Sequence, residues 1–431
     1  MAEELKVGII GGGYAGMAAA VSLAARGIPV AVFESARQLG GRARGVLHNG
    51  MQLDNGQHLL LGCYRETLRL IEQVGGNVER DFLRLPLQLD LHGEFSFRAP
   101  HLPAPLHLLA ALLSAQGLSF NERLGAARFM LELRRTNFRL PRDMTVAEML
   151  ARHGQDAEAA QKLWEPLTIA ALNTPIRKAS AQVLLNVLRD ALNRKRSDSD
   201  MLLPRLDFTS LFPRRAASYV ERHGGRVLTS CGVEAIVPHD GDIELATAQG
   251  VERFSHVICA APPAAAARLL RPIAALGGTV AQIEGLEHQP IYTVYLRYPA
   301  DVRLPHPMVG LHGRFSQWLF DRGQIAGQRG LLAAVISAEG IHQELPRERL
   351  AQKVIAELRE AFGIAEPPKW FEIIAEKRAT FCCAPNLHRP SQRTALPGLL
   401  LAGDYAAGDY PATLEGAVLS GLRCANLIFR P

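Results

Sequence analysis

The 431-residue sequence contains few cysteines, and their spacing does not suit cross-links or zinc. None of the six forms a Cys-x-x-Cys pair, and no cysteine–histidine group has zinc-finger spacing. Cys382 and Cys383 are adjacent, so they cannot easily share a normal disulfide. The sequence therefore predicts no metal site, and it indicates packed thiols in a reducing compartment, which favours the cytoplasm.

The sequence also lacks a concentrated block of positive charge. Its formal net charge is +6, but the basic residues are scattered apart from short clusters such as Arg134-Arg135 and Arg214-Arg215. A nucleic-acid-binding domain usually concentrates these residues on one element, so no nucleic-acid partner is predicted. A solvated basic surface and attraction to anionic lipid headgroups both remain open.

Little of the sequence could cross a membrane. Residues 7–33 contain a single charge, Arg26, but their glycine pattern indicates a strand, a loop and a helix instead. The leucine-rich residues 106–113 are too few to span a bilayer and favour a core helix. A helix that lies on the membrane surface and admits a long apolar molecule is the alternative. Peripheral contact with the inner face of the cell membrane is therefore left open.

The N-terminal segment has the pattern of a dinucleotide-binding unit. It contains, in order, an apolar strand, a Gly-x-Gly-x-x-Gly loop, an alanine-rich helix and a second strand, at residues 6–10, 11–16, 17–25 and 30–33. The second strand ends at Glu34. A lone glycine motif is weak evidence, but this order of elements around it strongly favours dinucleotide binding.

Each residue of this unit has an expected task. Gly11 makes the tight turn, Gly13 lets the backbone approach a pyrophosphate, and Gly16 lets the helix pack closely on the strand. Tyr14 and Ala15 belong to the loop and are expected to contact the cofactor, and the N-terminus of the helix that follows offers N–H groups and a positive dipole end to the phosphates. Glu34 is expected to accept hydrogen bonds from a ribose.

The residues after Glu34 distinguish between dinucleotides. Gly41-Arg42, within a Leu-Gly-Gly-Arg-Ala-Arg sequence, resembles a motif of the flavin amine oxidase and phytoene desaturase superfamily. The resemblance implies that Arg42 reaches the pyrophosphate of FAD. In the same way, Val233 is the match for a valine whose backbone meets the adenine. Gly56 and Gln57 are also expected to contact FAD.

The C-terminal part resembles the second flavin motif of that superfamily. An apolar strand ends in Gly403-Asp404, and a helix is predicted to start near Thr413 and Leu414. The resemblance implies that Asp404 hydrogen-bonds the ribityl or pyrophosphate part. The N-terminus of the helix would point at the flavin ring, where a reduced, anionic flavin is stabilised by the helix dipole.

These pieces predict an α/β chain with a discontinuous Rossmann-type FAD-binding domain, similar to that of the amine oxidases, and an inserted α+β substrate domain. The FAD-binding domain is assigned to residues 1–79, 206–265 and 376–431. The substrate-binding domain is assigned to residues 80–205, which are mostly helical by pattern, and 266–375, where alternation indicates a half-buried sheet.

Several further segments resemble the hydroxysqualene dehydroxylase family of bacterial hopanoid pathways. They are residues 53–62, 164–167, 171–175, 317–323, 379–381 and 410–417. The resemblance covers nearly the whole chain. It implies that hydroxysqualene, a C30 isoprenoid, loses its hydroxyl group and takes a hydride from reduced FAD, giving squalene and water. An upstream synthase that forms hydroxysqualene is an implied partner.

Other functions remain open. A carotenoid-type desaturase uses the same flavin site in the oxidising direction, and a non-catalytic isoprenoid carrier would bind the same molecules without redox change. An amine oxidase is disfavoured for two reasons. Residues 289–297 contain no lysine, whereas many amine oxidases carry one there near the flavin, and Thr413 replaces an aromatic residue that helps to form the amine cage in some of them.

The proton donor for loss of the hydroxyl group is not set by a motif. His58 and Asp321 rank first, His58 by its position near the flavin and Asp321 because it follows a predicted sheet strand. Glu165, between Trp164 and a proline, is a third candidate if burial raises its pKa. Asp54 is expected to be structural.

Overall fold

The computed structural model describes residues 5–155 and 158–429, so the ends of the predicted FAD-binding domain at 1–4 and 430–431 and residues 156–157 of the predicted substrate domain lie outside the described residues. The strands are β1 (Val7–Ile10), β2 (Val30–Phe33), β3 (Gly45–His48), β4 (Met51–Asp54), β5 (Leu60–Leu61), β6 (Phe82–Leu85), β7 (Gln88–Leu91), β8 (Phe95–Arg98), β9 (Met201–Pro204), β10 (Arg226–Leu228), β11 (Val233–Pro238), β12 (Ile243–Thr247), β13 (Gly250–Phe254), β14 (His256–Cys259), β15 (His288–Arg297), β16 (Met308–Gly310), β17 (Trp318–Asp321), β18 (Leu331–Ser337), β19 (Trp370–Phe381) and β20 (Leu399–Leu401).

The helices are α1 (Tyr14–Ala24), α2 (Arg65–Gln73), α3 (Val78–Asp81), α4 (Leu106–Ser114), α5 (Phe120–Arg135), α6 (Val146–Arg152), α7 (Glu165–Leu172), α8 (Ala181–Leu192), α9 (Phe208–Leu211), α10 (Pro213–Arg222), α11 (Pro263–Leu270), α12 (Gly277–Glu284), α13 (Arg322–Ala326), α14 (Arg347–Phe362) and α15 (Leu414–Phe429). A π-helical turn precedes α7 at Ala160–Trp164.

A five-stranded parallel sheet forms the centre of the nucleotide-binding part. Its strand order is β10-β2-β1-β14-β20, so strands from both ends of the chain lie in one sheet. β1 and β2 are buried along their whole length, which explains why they are continuous apolar runs rather than alternating ones. The predicted α/β fold class is therefore confirmed.

The first and last helices pack closely beside this sheet. A Cβ atom on Gly421 of α15 would lie 2.1 Å from the carbonyl oxygen of Ala15 in α1, so only glycine permits this approach. The contact joins residues about 400 positions apart, and it places the N-terminal ends of both helices near the edge where the parallel strands end.

A second, seven-stranded sheet has the order β19-β15-β18-β17-β16-β7-β8. Along β18, Ala333 and Val335 face one core, whereas Leu332 and Ala334 face another that also contains residues of α14. This two-residue alternation is the pattern of a sheet with different neighbours on its two faces. α14 covers one face, and the other face is turned towards the helices of the first insert.

The first insert is helical, with α4 to α8, but it also contributes strands that its pattern does not predict. β7 and β8 form an antiparallel hairpin, which joins the large sheet through the pairing of Leu91 with Gly310. In addition, β19 crosses the predicted boundary between residues 375 and 376. The two predicted domains therefore share a sheet strand, and their boundaries remain predictions.

Candidate functional site

The glycine loop between β1 and α1 is fixed by steric limits. Gly11 has a φ of +108°, and a Cβ atom on Gly16 would lie 2.0 Å from the carbonyl oxygen of Gly11. A side chain at either position would push the loop apart. No side chain caps the N-terminus of α1, so its backbone N–H groups remain available to a bound anion.

Glu34 ties the end of β2 to this loop. Its carboxylate accepts hydrogen bonds from the backbone N–H groups of Gly12, at 2.7 Å, and Ala36, at 2.8 Å. The side chain is buried at the end of its strand, where ligands of open parallel sheets bind. Oε1 also accepts from the Ser35 hydroxyl at 3.3 Å, whereas Oε2 has only the Gly12 donor and retains a second lone pair, so the position is compatible with acceptance from a ribose.

Arg42 and Asp404 form an ion pair, although they are 362 residues apart in sequence. Arg42 also donates to the carbonyl oxygen of Ala379 at 2.8 Å. Burial lowers the pKa of the Arg42 guanidinium, but Asp404 together with Glu376 and Tyr405 more than offsets this effect, and the pKa is raised overall. The guanidinium therefore stays charged, and Asp404 and Ala379 hold it in place.

The start of α15 is capped by its own chain. Thr413 Oγ1 accepts a hydrogen bond from the N–H of Gly416 at 3.1 Å, and Leu414 is the first helical residue. Next to it, the buried carboxylate of Glu415 accepts hydrogen bonds from the N–H groups of Glu66 and Thr67 and from the Thr67 hydroxyl. This carboxylate fixes the start of α2 against α15.

A segment between β4 and β5 supplies Gly56, Gln57 and His58. Gln57 is only 7% exposed, and its amide oxygen is a buried acceptor without a hydrogen-bond partner in the described structure. Burial and the charge of Arg42 lower the pKa of His58 to about 4, so its imidazole is neutral at pH 7. The ring stands edge-on to Phe208, with 5.1 Å between centroids.

These residues line one cavity of about 970 Å³. The part that we call the cofactor section is lined by sequence-predicted residues, namely Gly11, Gly13, Tyr14, Ala15, Glu34, Gly41, Arg42, Gly56, Gln57, His58, Val233, Gly403, Asp404, Thr413 and Leu414. Gly16 lies behind this wall, where it packs against Gly11. Segments that are far apart in sequence are thus brought to one surface.

The rest of the cavity, which we call the apolar section, lies among α4, α5, α7, α8 and the large sheet. Its walls include Phe97, Leu108, Leu112, Met130, Leu167, Leu188, Phe320 and Val335. Leu167 and Phe320 lie in segments that resemble the hydroxysqualene dehydroxylase family. No local motif marks the other residues, since each is an ordinary core residue of its own helix or strand. The section can hold a long hydrocarbon and exclude water from it.

Asp321 does not line the cavity. Side chains alternate along β17, so Trp318 and Phe320 face the cavity and Asp321 faces away from it. One oxygen of Asp321 accepts from the N–H groups of Gly323 and Gln324 at the start of α13, and the other accepts from the N–H of Leu304 at 2.9 Å. The structure therefore places this carboxylate in a helix cap rather than beside His58.

A polar pair in the cavity wall has no counterpart among the predicted site residues. Ser199 lines the cavity, and its hydroxyl oxygen lies 3.3 Å from Nε2 of the buried His107 in α4. His107 Nδ1 has no partner among the described residues. Sequence reasoning missed the pair because its members are 92 residues apart and belong to no motif.

Two other features bear on earlier expectations. All six cysteines are buried free thiols. Within residues 5–155 and 158–429, no group of three potential metal ligands is found, and no helix is both long and apolar enough to cross a membrane.

Comparison with known proteins adds family information to this geometry. The model of flavin-containing amine oxidoreductases matches residues 14–429. A hydroxysqualene dehydroxylase from Rhodopseudomonas palustris is 29% identical, with 98% of both chains covered. A zeta-carotene desaturase from Arabidopsis thaliana is 25% identical, with 99% of this chain and 85% of the relative covered. The structure of cyclohexylamine oxidase from Brevibacterium oxydans has a TM-score of 0.71 at 19% identity, covering 99% of this chain and 98% of that one, and thus shares the fold.

Proposed function

Because the chain belongs to the flavin-containing amine oxidoreductase family and is an FAD-dependent oxidoreductase, we propose that it converts hydroxysqualene to squalene and water. The observation that carries this proposal is the apolar section of the cavity, which is continuous with the cofactor section. The relatives named hydroxysqualene dehydroxylase support the choice of substrate, since they match along 98% of this chain.

The cofactor section fits FAD on two observations. Gly13 and Gly41 lie beside each other on the cavity wall, and because neither has a side chain, a pyrophosphate in the cavity could approach both backbones. The unpaired oxygen of Gln57 needs a donor, such as an N–H group of a bound molecule. In the proposal, the start of α1 and Arg42 hold the phosphates, and Glu34 holds the ribose.

In the proposed reaction, the allylic carbon–oxygen bond breaks and a carbon–hydrogen bond forms at the same carbon. The hydroxyl group takes one proton and leaves as water. When bound and reduced, FAD supplies the hydride with its two electrons. The tasks of the chain are to hold the hydrocarbon in the apolar section, to exclude water and to provide the proton.

We assign the proton to His58, because its imidazole lines the cavity whereas Asp321 does not. With a pKa of about 4, His58 must first be protonated. As an expected outcome, kcat/KM rises about tenfold for each pH unit as the pH falls towards 4. His58→Ala should retain FAD and lose turnover, whereas Asp321→Asn should retain turnover and lower Tm. Wild-type turnover in His58→Ala would refute the assignment.

A carotenoid-type desaturase is the second candidate, and the zeta-carotene desaturases among the relatives favour it. The same cavity would then hold a polyene precursor, and FAD would accept electrons instead of giving them. An upstream synthase that forms hydroxysqualene would supply the substrate only if the chain is a hydroxysqualene dehydroxylase.

One experiment separates the two candidates. Protein photoreduced without oxygen is mixed with hydroxysqualene, and oxidised protein is mixed with phytoene. The proposal predicts squalene in the first mixture, with return of the oxidised flavin spectrum, and no reaction in the second. Desaturated product from phytoene alone would favour the desaturase. Binding of either molecule without a change in the flavin spectrum would indicate a carrier.

A further inference from the structure

Helices α4 and α5 and the turn before them expose an unusual amount of apolar surface. Phe120 is 65% exposed, Leu106 52%, Leu113 44% and Leu131 41%, and Leu102 precedes α4 at 39%. Half of the large apolar side chains that the described residues expose lie within this stretch of 30 residues. We call these five side chains the α4–α5 face. Such a concentration on a protein surface usually marks a binding site.

The members of this face point in shared directions. Leu106 and Leu113 are seven residues apart, about two helical turns, and Phe120 and Leu131 are eleven residues apart, about three turns, so each pair lies on one side of its helix. Arg123 connects the helices, because its guanidinium donates to the carbonyl oxygen of Leu113 at 3.1 Å and lies 6.0 Å from the ring centroid of Phe120.

The charge on this face is positive. Arg128 and Arg135 are exposed and follow Phe120 by eight and fifteen residues, which keeps them on the same side of α5. The two acidic residues of α5 are engaged, since Glu122 caps the helix through Ser119 and Glu132 lies 3.1 Å from a ring nitrogen of His153. Apolar side chains with arginines among them suit a surface that is apolar inside and negatively charged outside.

The opposite sides of the same helices line the apolar section, through Leu108 and Leu112 of α4 and Met130 of α5. The wall between the cavity and the α4–α5 face is therefore one helix thick, roughly 10 Å. α4 has nine residues, or roughly 14 Å, so it can lie on a bilayer but cannot cross one.

We propose that the α4–α5 face docks on an anionic lipid bilayer, so that a long apolar substrate passes from the lipid into the cavity beside α4. The route for the substrate rests on the proposed function, whereas the docking itself does not. Leucine and phenylalanine side chains would enter the interface between headgroups and acyl chains, and the arginines would contact lipid phosphates.

The test uses the FAD-loaded protein and sedimentation with vesicles, without substrate. One set of vesicles contains phosphatidylcholine alone, and the other contains phosphatidylcholine with phosphatidylglycerol. We expect binding to the anionic vesicles that weakens with salt, and a loss of at least about tenfold in Leu113→Glu/Phe120→Glu. Leu47→Glu and Val251→Glu alter side chains that are 72% and 66% exposed elsewhere, and they should bind like wild type. Flavin absorbance per protein checks the fold of each variant.

Three results would overturn the docking proposal. The first is that the protein binds neither set of vesicles. The second is that the Leu47→Glu control loses as much binding as Leu113→Glu/Phe120→Glu. The third is that the wild type binds no vesicles and is a dimer that Phe120→Glu converts to a monomer, which would make the face a contact between copies. Turnover of detergent-dispersed hydroxysqualene tests the proposed function separately. Leu113→Glu/Phe120→Glu should retain it, whereas failure of the wild type there would refute the reaction and leave vesicle binding intact.

Discussion

The two sections of the cavity are built in different ways. The cofactor section is supported by close backbone contacts directly behind its wall, and at Gly16 and Gly421 these contacts leave no room for even one methyl group. In the apolar section, several separate helices and strands contribute residues to the wall, from one in α5 to five in α7. Binding in the cofactor section should therefore be sensitive to a single added methyl group, whereas binding in the apolar section should change gradually with side-chain volume.

The largest effect is expected for Gly16→Ala. The added methyl group would meet the carbonyl oxygen of Gly11, and the loop would have to open. We expect FAD affinity to fall about a hundredfold, measured as the flavin-to-protein ratio and by titration of the apoprotein. Gly278→Ala is the control, because a Cβ there has no atom within 4 Å. Equal flavin content in Gly16→Ala and Gly278→Ala would contradict the expected sensitivity of the cofactor section to one methyl group.

A smaller loss is expected for Arg42→Met. The substitution removes a positive charge from the cofactor section and leaves the Asp404 carboxylate without its ion pair. FAD affinity should fall about tenfold, the usual cost of losing a charge-assisted hydrogen bond. Arg37→Met, in the same region but outside the cavity, should not change it. If both variants bound FAD alike, Arg42 would have no role in cofactor binding.

In the apolar section, Leu188→Phe should narrow the cavity without touching the cofactor. We expect unchanged flavin content and a fall of about fivefold in kcat/KM for the C30 substrate, with a smaller fall for a shortened analogue. A loss of flavin in this variant would show that the two sections are not independent.

The smallest effect concerns stability. Burial raises the pKa of Asp54 to about 7, although its carboxylate accepts a hydrogen bond from the N–H of Phe208. The native state therefore binds a proton that the unfolded state releases above about pH 4, and stability falls as the pH rises from 4 to 7. Asp54→Asn should remove this fall and raise Tm at pH 8 by a few degrees at most. Parallel curves of Tm against pH for wild type and variant would show that the pKa of Asp54 is not the cause of the fall in stability.

The sequence is most informative where structure is local. The strand–glycine loop–helix unit is predicted because each part depends on its neighbours, and β1 and β2 end at the predicted residues 10 and 33. The β7–β8 hairpin is missed because its place depends on Gly310, about 220 residues away. Asp321 is an instructive case, because moving one residue along β17 changes the face of the sheet on which a side chain lies. The types of residue in the strand do not show which of them face the cavity.

The contact between Gly421 and Ala15 has a consequence for biosynthesis. β1, α1 and Glu34 are translated early, but the parallel sheet lacks its edge strand β20 and α1 lacks its partner α15 until residues 399–429 have been made. Arg42 has to wait for Asp404 in the same way. We therefore expect the chain to capture flavin only after α15 has been translated, and a chain interrupted before α15 to leave the ribosome without its cofactor.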